Sequence, residues 1–182
     1  EAEAEHRAVL DICTRAQGPE HPNTFTSRNN LALVLGDRGR LDEAEAEHRA
    51  VLDICTRVLG PEHPNTLSSR NSLANVLGDL GGLEEAEAEH RAVLDIRTRV
   101  LGSEHPDTLT SRNNLATVLG DLGRLTEAEA EHRAVLDIRT RVLGPEHPET
   151  LASRNNLASV VTQLRRPGAQ QSAYERLSPH CK

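Results

Sequence analysis

Three pairs of Glu and His side chains have a spacing that could support metal chemistry. In each pair the His follows the Glu by three residues, and the pairs are Glu45 and His48, Glu87 and His90, and Glu129 and His132. Residues three apart share a face of a helix, and this spacing occurs in carboxylate-bridged di-metal bundles. Such centres need four converging helices, whereas these pairs recur as successive copies of one segment. We therefore predict no bound metal, no cofactor and no catalytic residue; the alternative, a metal-dependent enzyme, would require stoichiometric metal in the purified protein.

Side-chain amides form a second set of candidate residues, which could bind the backbone of a peptide. An amide donates and accepts hydrogen bonds, so it can pair with an extended main chain of any sequence. The candidate amides are Asn29, Asn30, Asn71, Asn75, Asn113, Asn114, Asn155 and Asn156. Three acids accompany them, namely Asp37, Asp79 and Asp121. The acids predict a preference for basic or neutral ligands. The alternative for the amides is that they bridge adjacent helices or hold water.

The composition excludes several classes of protein. The 182 residues carry a formal net charge of −7 and only 1% aromatic side chains. Nucleic acid is excluded as a partner, because it needs a basic surface and, for single strands, aromatic platforms. No apolar run approaches the ~20 residues of a membrane span, and no secretory signal opens the sequence. We therefore expect a cytoplasmic protein with no membrane partner. Because the sequence contains no Met, we also expect it to be a segment of a longer protein.

The cysteines are expected to be free thiols. Cys13 and Cys55 occupy a repeat position that holds Arg97 and Arg139 further along the chain. A position that accepts Arg is expected to face solvent. Cys181 makes the number of cysteines odd, which argues against a disulfide framework in a reducing compartment.

The sequence repeats with a period of 42 residues, and residues 65–106 differ from 107–148 at only seven positions. A period of this length indicates that each unit is one supersecondary element. We divide the array into a half unit at 1–22, full units at 23–64, 65–106 and 107–148, and a half unit at 149–164. A C-terminal capping segment and tail follow at 165–182, with a short closing helix expected at 169–177.

Each unit has the pattern of two helices. In the unit that starts at Asp107, apolar residues recur at helical spacing, and Gly123 is a candidate left-handed C-cap. We expect Asp107 to cap the first helix and Thr126 to open the second through a capping box. Gly144 is expected to end the second helix. Two helices cannot bury their apolar stripes alone, so we predict an all-α fold, an α-solenoid of stacked antiparallel helix pairs.

These units resemble the 42-residue tetratricopeptide repeats found in kinesin light chains and in many bacterial proteins. The resemblance covers nearly all of residues 1–164, and motifs that recur in register carry it, among them Asn113-Asn114-Leu115-Ala116, Glu127-Ala128-Glu129, Val142-Leu143-Gly144 and His147-Pro148. It implies a right-handed superhelix whose concave groove, lined by the first helices, holds peptide or protein partners. It also implies that Asn at these positions grips the ligand backbone.

The resemblance leads us to predict a scaffold, not an enzyme, that holds an extended peptide or partner segment in its groove. One alternative is a structural array that self-associates end to end through an unpaired apolar face. A second alternative is the regulatory sensor part of a larger bacterial signalling ATPase, because arrays of this kind are often attached to such modules.

Three series of residues that recur with the repeat need an explanation, namely glycines inside first helices and two series, Arg and His, on the expected apolar stripes. Glycine inside a first helix costs about 1 kcal/mol relative to Ala, and we expect a close approach by a neighbouring helix or a ligand backbone at Gly36, Gly78 and Gly120. Arg replaces the family's usual large apolar residue at Arg28, Arg70, Arg112 and Arg154. His does the same at His6, His48, His90 and His132. Because a buried unpaired charge is very costly, we expect each Arg head to lie on a carboxylate or carbonyl and each His to be neutral and hydrogen-bonded. A pH-sensitive polar ladder is the alternative.

Overall fold

The computed structural model describes residues 2–165, which form eight α-helices and no strand. The helices are α1 (Ala2–Gln17), α2 (Pro22–Asp37), α3 (Leu41–Leu59), α4 (Pro64–Asp79), α5 (Leu83–Leu101), α6 (Pro106–Asp121), α7 (Leu125–Leu143) and α8 (Pro148–Leu164). The even-numbered helices are the first helices of the repeat, and the odd-numbered helices are the second helices. The predicted all-α fold is therefore confirmed.

Each first helix begins at a proline, and the preceding His is its N-cap. In α6, Nδ1 of His105 accepts a hydrogen bond from the N–H of Asp107 at 3.2 Å. Equivalent bonds are made by His21, His63 and His147. Pro106 suits the first helical position because its φ is preset and its missing N–H has no partner there anyway. The cap is thus His105 and not Asp107, which corrects the prediction from the sequence.

The second helices begin differently. α7 starts at Leu125, and the preceding Arg124 makes no side-chain capping hydrogen bond. The predicted capping box at Thr126 is therefore wrong. Arg124 instead forms a two-pronged ion pair with Glu127, with N–O distances of 2.6 Å. Glu127 lies in the first turn, where a negative charge interacts favourably with the helix dipole.

Glycines end the helices where the sequence predicts. Gly123 follows α6 with a φ of +72°, and Gly144 follows α7 with a φ of +91°. A residue without a Cβ adopts these backbone angles most readily. The N–H of Gly144 closes the last turn of α7 on the carbonyl of Thr140 at 3.1 Å. These turns let the chain reverse direction after each helix.

The described residues divide into two compact units, each larger than one repeat; the first unit ends at Ile96 and the second unit begins at Arg97. In the first unit, α2 contacts α1 and α3, and α3 also contacts α4. Two buried clusters hold these helices together. One is formed by Leu31, Leu35, Ala44 and Val76, and the other by Phe25, Val51 and Cys55.

In the second unit, α7 contacts both α6 and α8. The buried apolar residues here include Leu109, Leu115, Leu119, Ala128 and Val135. Two further positions that the periodicity assigns to the apolar face, Val142 and Leu143, are 54% and 41% exposed. The buried stripe of α7 therefore stops short of its C-terminal turn.

The predicted half units at the two ends correspond to α1 and α8. The closing helix expected at 169–177, the tail and Cys181 lie outside the described residues. Within residues 2–165, none of the helices combines the length and the apolar character that crossing a membrane requires.

Candidate functional site

Partly buried ion pairs join first helices to second helices. They are Arg28 with Glu47 at 2.8 Å, Arg70 with Glu89 at 2.8 Å and Arg112 with Glu131 at 3.2 Å. The fourth member of the series, Arg154, donates to the carbonyl of Pro145 at 3.4 Å. The expectation that each Arg head lies on a carboxylate or carbonyl is confirmed. Arg28, Arg70 and Arg112 thus each bridge a first helix to the second helix that follows it.

The imidazoles of the second helices are buried. His48, His90 and His132 are at most 3% exposed. Burial lowers the pKa of all three, and that of His90 to about 4, so they are neutral near pH 7. Nδ1 of His90 lies 3.0 Å from Oδ1 of Asn71, whereas Nδ1 of His48 and of His132 has no partner among the described residues. A lowered pKa favours the predicted neutral state, and the expected hydrogen bond is found at Nδ1 of His90 but not at Nδ1 of His48 or of His132.

The repeat position shared by cysteine and arginine is not solvent-facing, which corrects the prediction. Its four residues are Cys13, Cys55, Arg97 and Arg139; the last three are buried and Cys13 is half-buried. Arg139 is only 8% exposed, and both of its Nη atoms have polar partners. Nη1 donates to Oγ of Ser153 at 2.9 Å, and Nη2 lies 3.1 Å from Oε2 of Glu149. Cys13 and Cys55 are free thiols, as predicted.

Asn71 is the candidate amide with the least access to a ligand. It is 7% exposed, and its Oδ1 accepts the hydrogen bond from His90, which joins α4 to α5. This is the bridging role that the sequence leaves open as an alternative.

Asn113 and Asn156 also bridge helices. Nδ2 of Asn156 donates to Oδ1 of Asn113 at 2.9 Å, and this bond joins α6 to α8. In the first unit the residue equivalent to Asn156 is Ser72. Ser72 has a shorter side chain and no amide, so it does not bond to Asn29, which is the equivalent of Asn113. Oδ1 of Asn29 is buried without a hydrogen-bond partner in the described part of the chain. Asn29 is therefore a candidate whose acceptor is unsatisfied.

The other candidate amides lie nearer the surface. Asn30, Asn75 and Asn155 are exposed, and Asn114 is half-buried. The acids Asp37, Asp79 and Asp121 are exposed and are the last residues of α2, α4 and α6. A negative charge at the C-terminus of a helix opposes the helix dipole. None of these acids forms an ion pair within residues 2–165, so each one opposes its helix dipole without a compensating partner.

A pocket with a volume of about 160 Å³ lies between α2, α3 and α4 in the first unit. It is lined by Pro22, Phe25, Thr26, Asn29, Cys55, Asn65, Ser68 and Ser69. The sequence does not predict it. The signal in the sequence is that Cys55 occupies a repeat position at which later repeats have Arg. The serine that follows this position is kept in every repeat, as Ser27, Ser69, Ser111 and Ser153.

The glycines inside first helices do not mark a close approach of neighbouring helices. A Cβ added to Gly36 would meet no atom within 4 Å. At Gly78 the nearest atom would be Cβ of Ala86 at 3.7 Å, and at Gly120 Cβ of Ala128 at 4.0 Å. These are ordinary van der Waals distances, so no neighbouring helix requires glycine at these positions.

The Glu-x-x-His pairs do not assemble a metal centre within residues 2–165, where no three His, Cys, Asp or Glu side chains are grouped to hold an ion. All three Glu residues are engaged by Arg on their own helix. Glu45 pairs with Arg49 at 2.7 Å, Glu87 with Arg91 at 2.8 Å and Glu129 with Arg133 at 2.8 Å.

Comparison with known proteins identifies the repeat. One family model of the tetratricopeptide repeat matches residues 1–45 and 26–91, and a second model of this repeat matches residues 108–149. No curated protein shows a match to this sequence.

Solved structures with a similar fold include a putative kinesin light chain from Podosopora anserina with nearly identical TPR-like repeats. Its Q17M form is 30% identical with a TM-score of 0.73, and the match covers 95% of this chain and 82% of that one. The form without this substitution is 28% identical with a TM-score of 0.71, and the match covers 98% of this chain and 88% of that one. A third structure is BtubC (BKLC) from P. vanneervenii, which is 21% identical with a TM-score of 0.72. The match covers 100% of this chain and 75% of that one, and it shows similarity of fold only.

Proposed function

Because the chain belongs to the tetratricopeptide repeat family, we propose that it is a scaffold that binds an extended peptide along the exposed faces of its first helices. Proteins built from these repeats generally mediate protein–protein interaction and are typically not enzymes. We also propose that the chain works in a reducing compartment, the cytoplasm, in which Cys13 and Cys55 would stay free thiols.

The observation that carries this proposal is the set of exposed amides on first helices that have no partner of their own. Asn30 on α2 and Asn75 on α4 both belong to the first unit. Neither makes a hydrogen bond within residues 2–165, in contrast to Asn71. An exposed amide of this kind can bind the N–H and C=O groups of a peptide backbone without losing an internal bond.

The charge of the chain supports a basic peptide as the ligand. The net charge is −7, and Asp37, Asp79 and Asp121 place unpaired carboxylates at the ends of first helices. Each acid opposes the dipole of its own helix. A Lys or Arg of a bound peptide would offset that cost, and it would also speed association at low salt.

A selection from a library of displayed random peptides tests this proposal and isolates a ligand at the same time. The purified chain is immobilised on one surface, and a different repeat protein of similar charge is immobilised on a control surface. We expect the chain to enrich peptides with a net positive charge that the control protein does not retain. If both surfaces retain the same peptides, the proposal is contradicted.

Self-association is a second candidate function, and the exposed apolar face of α1 favours it. Val9 and Ile12 are 47% and 60% exposed, whereas Val51, which is equivalent to Val9, is 0% exposed. Sedimentation over a range of protein concentrations tests this candidate. Growth of the weight-average mass that Val9→Ser abolishes would support it, and a monomer at every concentration would reject it.

A further inference from the structure

The chain itself shows what can occupy the space beside Cys55. In the second unit the equivalent position holds Arg139, whose Nη1 donates to Oγ of Ser153 at 2.9 Å and to the carbonyl of Glu149 at 3.3 Å. Arg97 makes the same two bonds, to Ser111 at 2.9 Å and to the carbonyl of Asp107 at 3.1 Å. The space between a second helix and the following first helix is thus one in which a guanidinium fits.

In the first unit that space lacks its guanidinium. Sγ of Cys55 is 3.9 Å from Oγ of Ser69, and the side chain extends no further. The 160 Å³ pocket is lined here by Cys55, Ser69 and Asn65, which are equivalent to Arg139, Ser153 and Glu149. The pocket volume is therefore space that an Arg of the chain would fill, as it does in later repeats.

The acceptors that bind the guanidinium are retained. Oγ of Ser69 donates to the carbonyl of Asn65 at 3.0 Å, just as Oγ of Ser153 donates to the carbonyl of Glu149 at 3.0 Å. Since Ser153 accepts from Arg139 at the same time, a serine in this geometry keeps a lone pair for a further donor. Asn29 also lines the pocket, but its Oδ1 is already shielded from contact, so the two acceptors are Oγ of Ser69 and the carbonyl of Asn65. The pocket therefore lacks a hydrogen-bond donor.

Phe25 gives one wall of the pocket an aromatic surface. It is the only Phe of the chain, and the equivalent residues are Leu67, Leu109 and Leu151. A guanidinium plane packs well against an aromatic face, and better than an ammonium does. Asn65 occupies the repeat position that holds Asp107 and Glu149 in the later repeats, where each acid lies close to an Arg of the chain. Recognition therefore depends on hydrogen bonds and stacking, with the carboxylates elsewhere on the chain contributing only long-range attraction.

We infer that the pocket formed by Phe25, Asn29, Cys55, Asn65 and Ser69 receives the guanidinium of an arginine side chain of the bound peptide. This inference rests on the proposed function, since it assigns one side-chain subsite to the peptide. The guanidinium donates to Oγ of Ser69 and the carbonyl of Asn65, and its plane stacks on Phe25. An arginine at one position of the peptide would therefore fix its register on α2 and α4.

The test uses a single-residue probe that does not depend on peptide binding. N-acetyl-arginine methylamide is titrated into the full chain, and backbone amide shifts of residues around the pocket are followed by NMR. The norleucine and citrulline methylamides serve as comparison probes, since norleucine has an apolar stem without donors and citrulline has the shape without the charge. We expect saturable shifts at Cys55 and Ser69 with the arginine probe, and affinity at least about tenfold weaker with norleucine.

Two variants copy arrangements that the chain already contains. The double variant Cys55→Arg with Asn65→Asp recreates the trio of Arg97, Asp107 and Ser111, leaves the net charge unchanged and should fill the pocket. We expect it to abolish the shifts while unfolding at a temperature equal to or above that of the wild type. Phe25→Leu copies the other three repeats, and we expect it to weaken the arginine probe by about threefold or more while changing the norleucine probe little.

Equal binding of arginine and norleucine probes would overturn the inference, and so would pocket shifts that persist in the folded double variant. If the double variant does not fold, an arginine affinity unaffected by Phe25→Leu overturns it. Absence of binding by every probe also overturns the inference. None of these results bears on peptide binding as such, which the selection of displayed peptides decides separately.

Discussion

Oδ1 of Asn71 lies 3.0 Å from Nδ1 of His90, and both residues are almost completely buried. An amide oxygen can only accept, so Nδ1 carries the proton and the imidazole is in its neutral Nδ1–H form. The bond joins α4 to α5, and it removes from ligand contact a residue that belongs by sequence to the candidate peptide-binding series. The proposed function therefore assigns recognition to the exposed amides at other positions.

Replacement of Asn71 should affect stability, whereas replacement of Asn75 should not. Asn71→Ala leaves Nδ1 of His90 buried without a partner, and we expect the free energy of unfolding to fall by about 1–3 kcal/mol. Asn75→Ala on the same helix removes an exposed amide, and we expect a change within about 0.5 kcal/mol. Urea unfolding followed by circular dichroism measures both. Equal effects of the two substitutions would show that the bond to His90 contributes nothing to stability.

Acidification should destabilise the fold through the buried imidazoles. Burial lowers the pKa of His90 from its ordinary value of 6.5 to about 4. Between these values the unfolded chain binds a proton that the folded chain does not. The stabilisation is therefore complete above pH 6.5 and is lost as the pH falls towards 4. The contribution of His90 reaches about 3 kcal/mol at most, because one pKa unit corresponds to about 1.4 kcal/mol.

Urea midpoints measured from neutral pH down to about pH 5 test this dependence. His90→Gln cannot titrate but can still donate to Asn71, and it should reduce the slope of stability against pH. The remaining slope would come from His48 and His132, whose pKa values burial also lowers. A slope identical to that of the wild type would show that His90 is not one of the groups responsible.

Two glycines three residues apart should respond to alanine in opposite directions. Gly36 lies inside α2 with open space around its missing Cβ, so Gly36→Ala should raise the free energy of unfolding by about 1 kcal/mol. Gly39 has a φ of +73°, which a side chain rarely adopts, so Gly39→Ala should lower it by about 1–2 kcal/mol. Thermal unfolding of both variants measures the contrast. A destabilising Gly36→Ala would mean that this position is sterically constrained in the folded state.

Asp79 should decrease stability while favouring basic ligands. Asp79→Asn removes a negative charge from the C-terminal end of α4, so we expect a stabilisation of about 0.3–1 kcal/mol that decreases at high salt. The same substitution should weaken binding of a basic peptide obtained by selection by about threefold, with most of the change in the association rate. Melting curves and stopped-flow association at two salt concentrations measure these effects. Unchanged binding would remove Asp79 from the recognition surface.

The sequence predicts the helices well because the repeat presents each signal several times. The 42-residue period, Gly123 and Gly144 each indicate a local structure that depends only on nearby residues. The type of partner of Arg28, Arg70, Arg112 and Arg154 is also predictable, since a buried Arg needs a carboxylate or carbonyl wherever it lies. The partner Glu47 of Arg28 lies 19 residues away, and only the packing of α2 on α3 identifies it.

The candidate site is less predictable because it depends on which face of each helix is covered. Asn71 and Asn113 are identical in repeat position, yet one bonds to His90 and the other to Asn156. The sequence predicts Cys55 at the surface because Arg shares its repeat position, but a buried Arg is tolerated when serine and carboxylate side chains satisfy it, as they do at Arg139. The sequence also favours Asp107 as a cap because Asp is the more common cap, whereas here the imidazole of the preceding His acts as the acceptor.

The central claim is that the first helices form the peptide-binding face. The most direct test compares the dissociation constant of a selected peptide between the wild type and the double variant Asn30→Ala with Asn75→Ala. Both amides are exposed on first helices of the first unit, so the fold should be unaffected. The matched control is Ala46→Gln with Ala88→Gln, which also leaves the net charge unchanged and alters two exposed positions on the second helices α3 and α5.

We predict that the peptide binds the amide variant about tenfold to a hundredfold more weakly, from the loss of two hydrogen bonds, and that the control changes affinity by less than about threefold. Equal affinities for the wild type and the amide variant would contradict the claim that the first helices form the peptide-binding face.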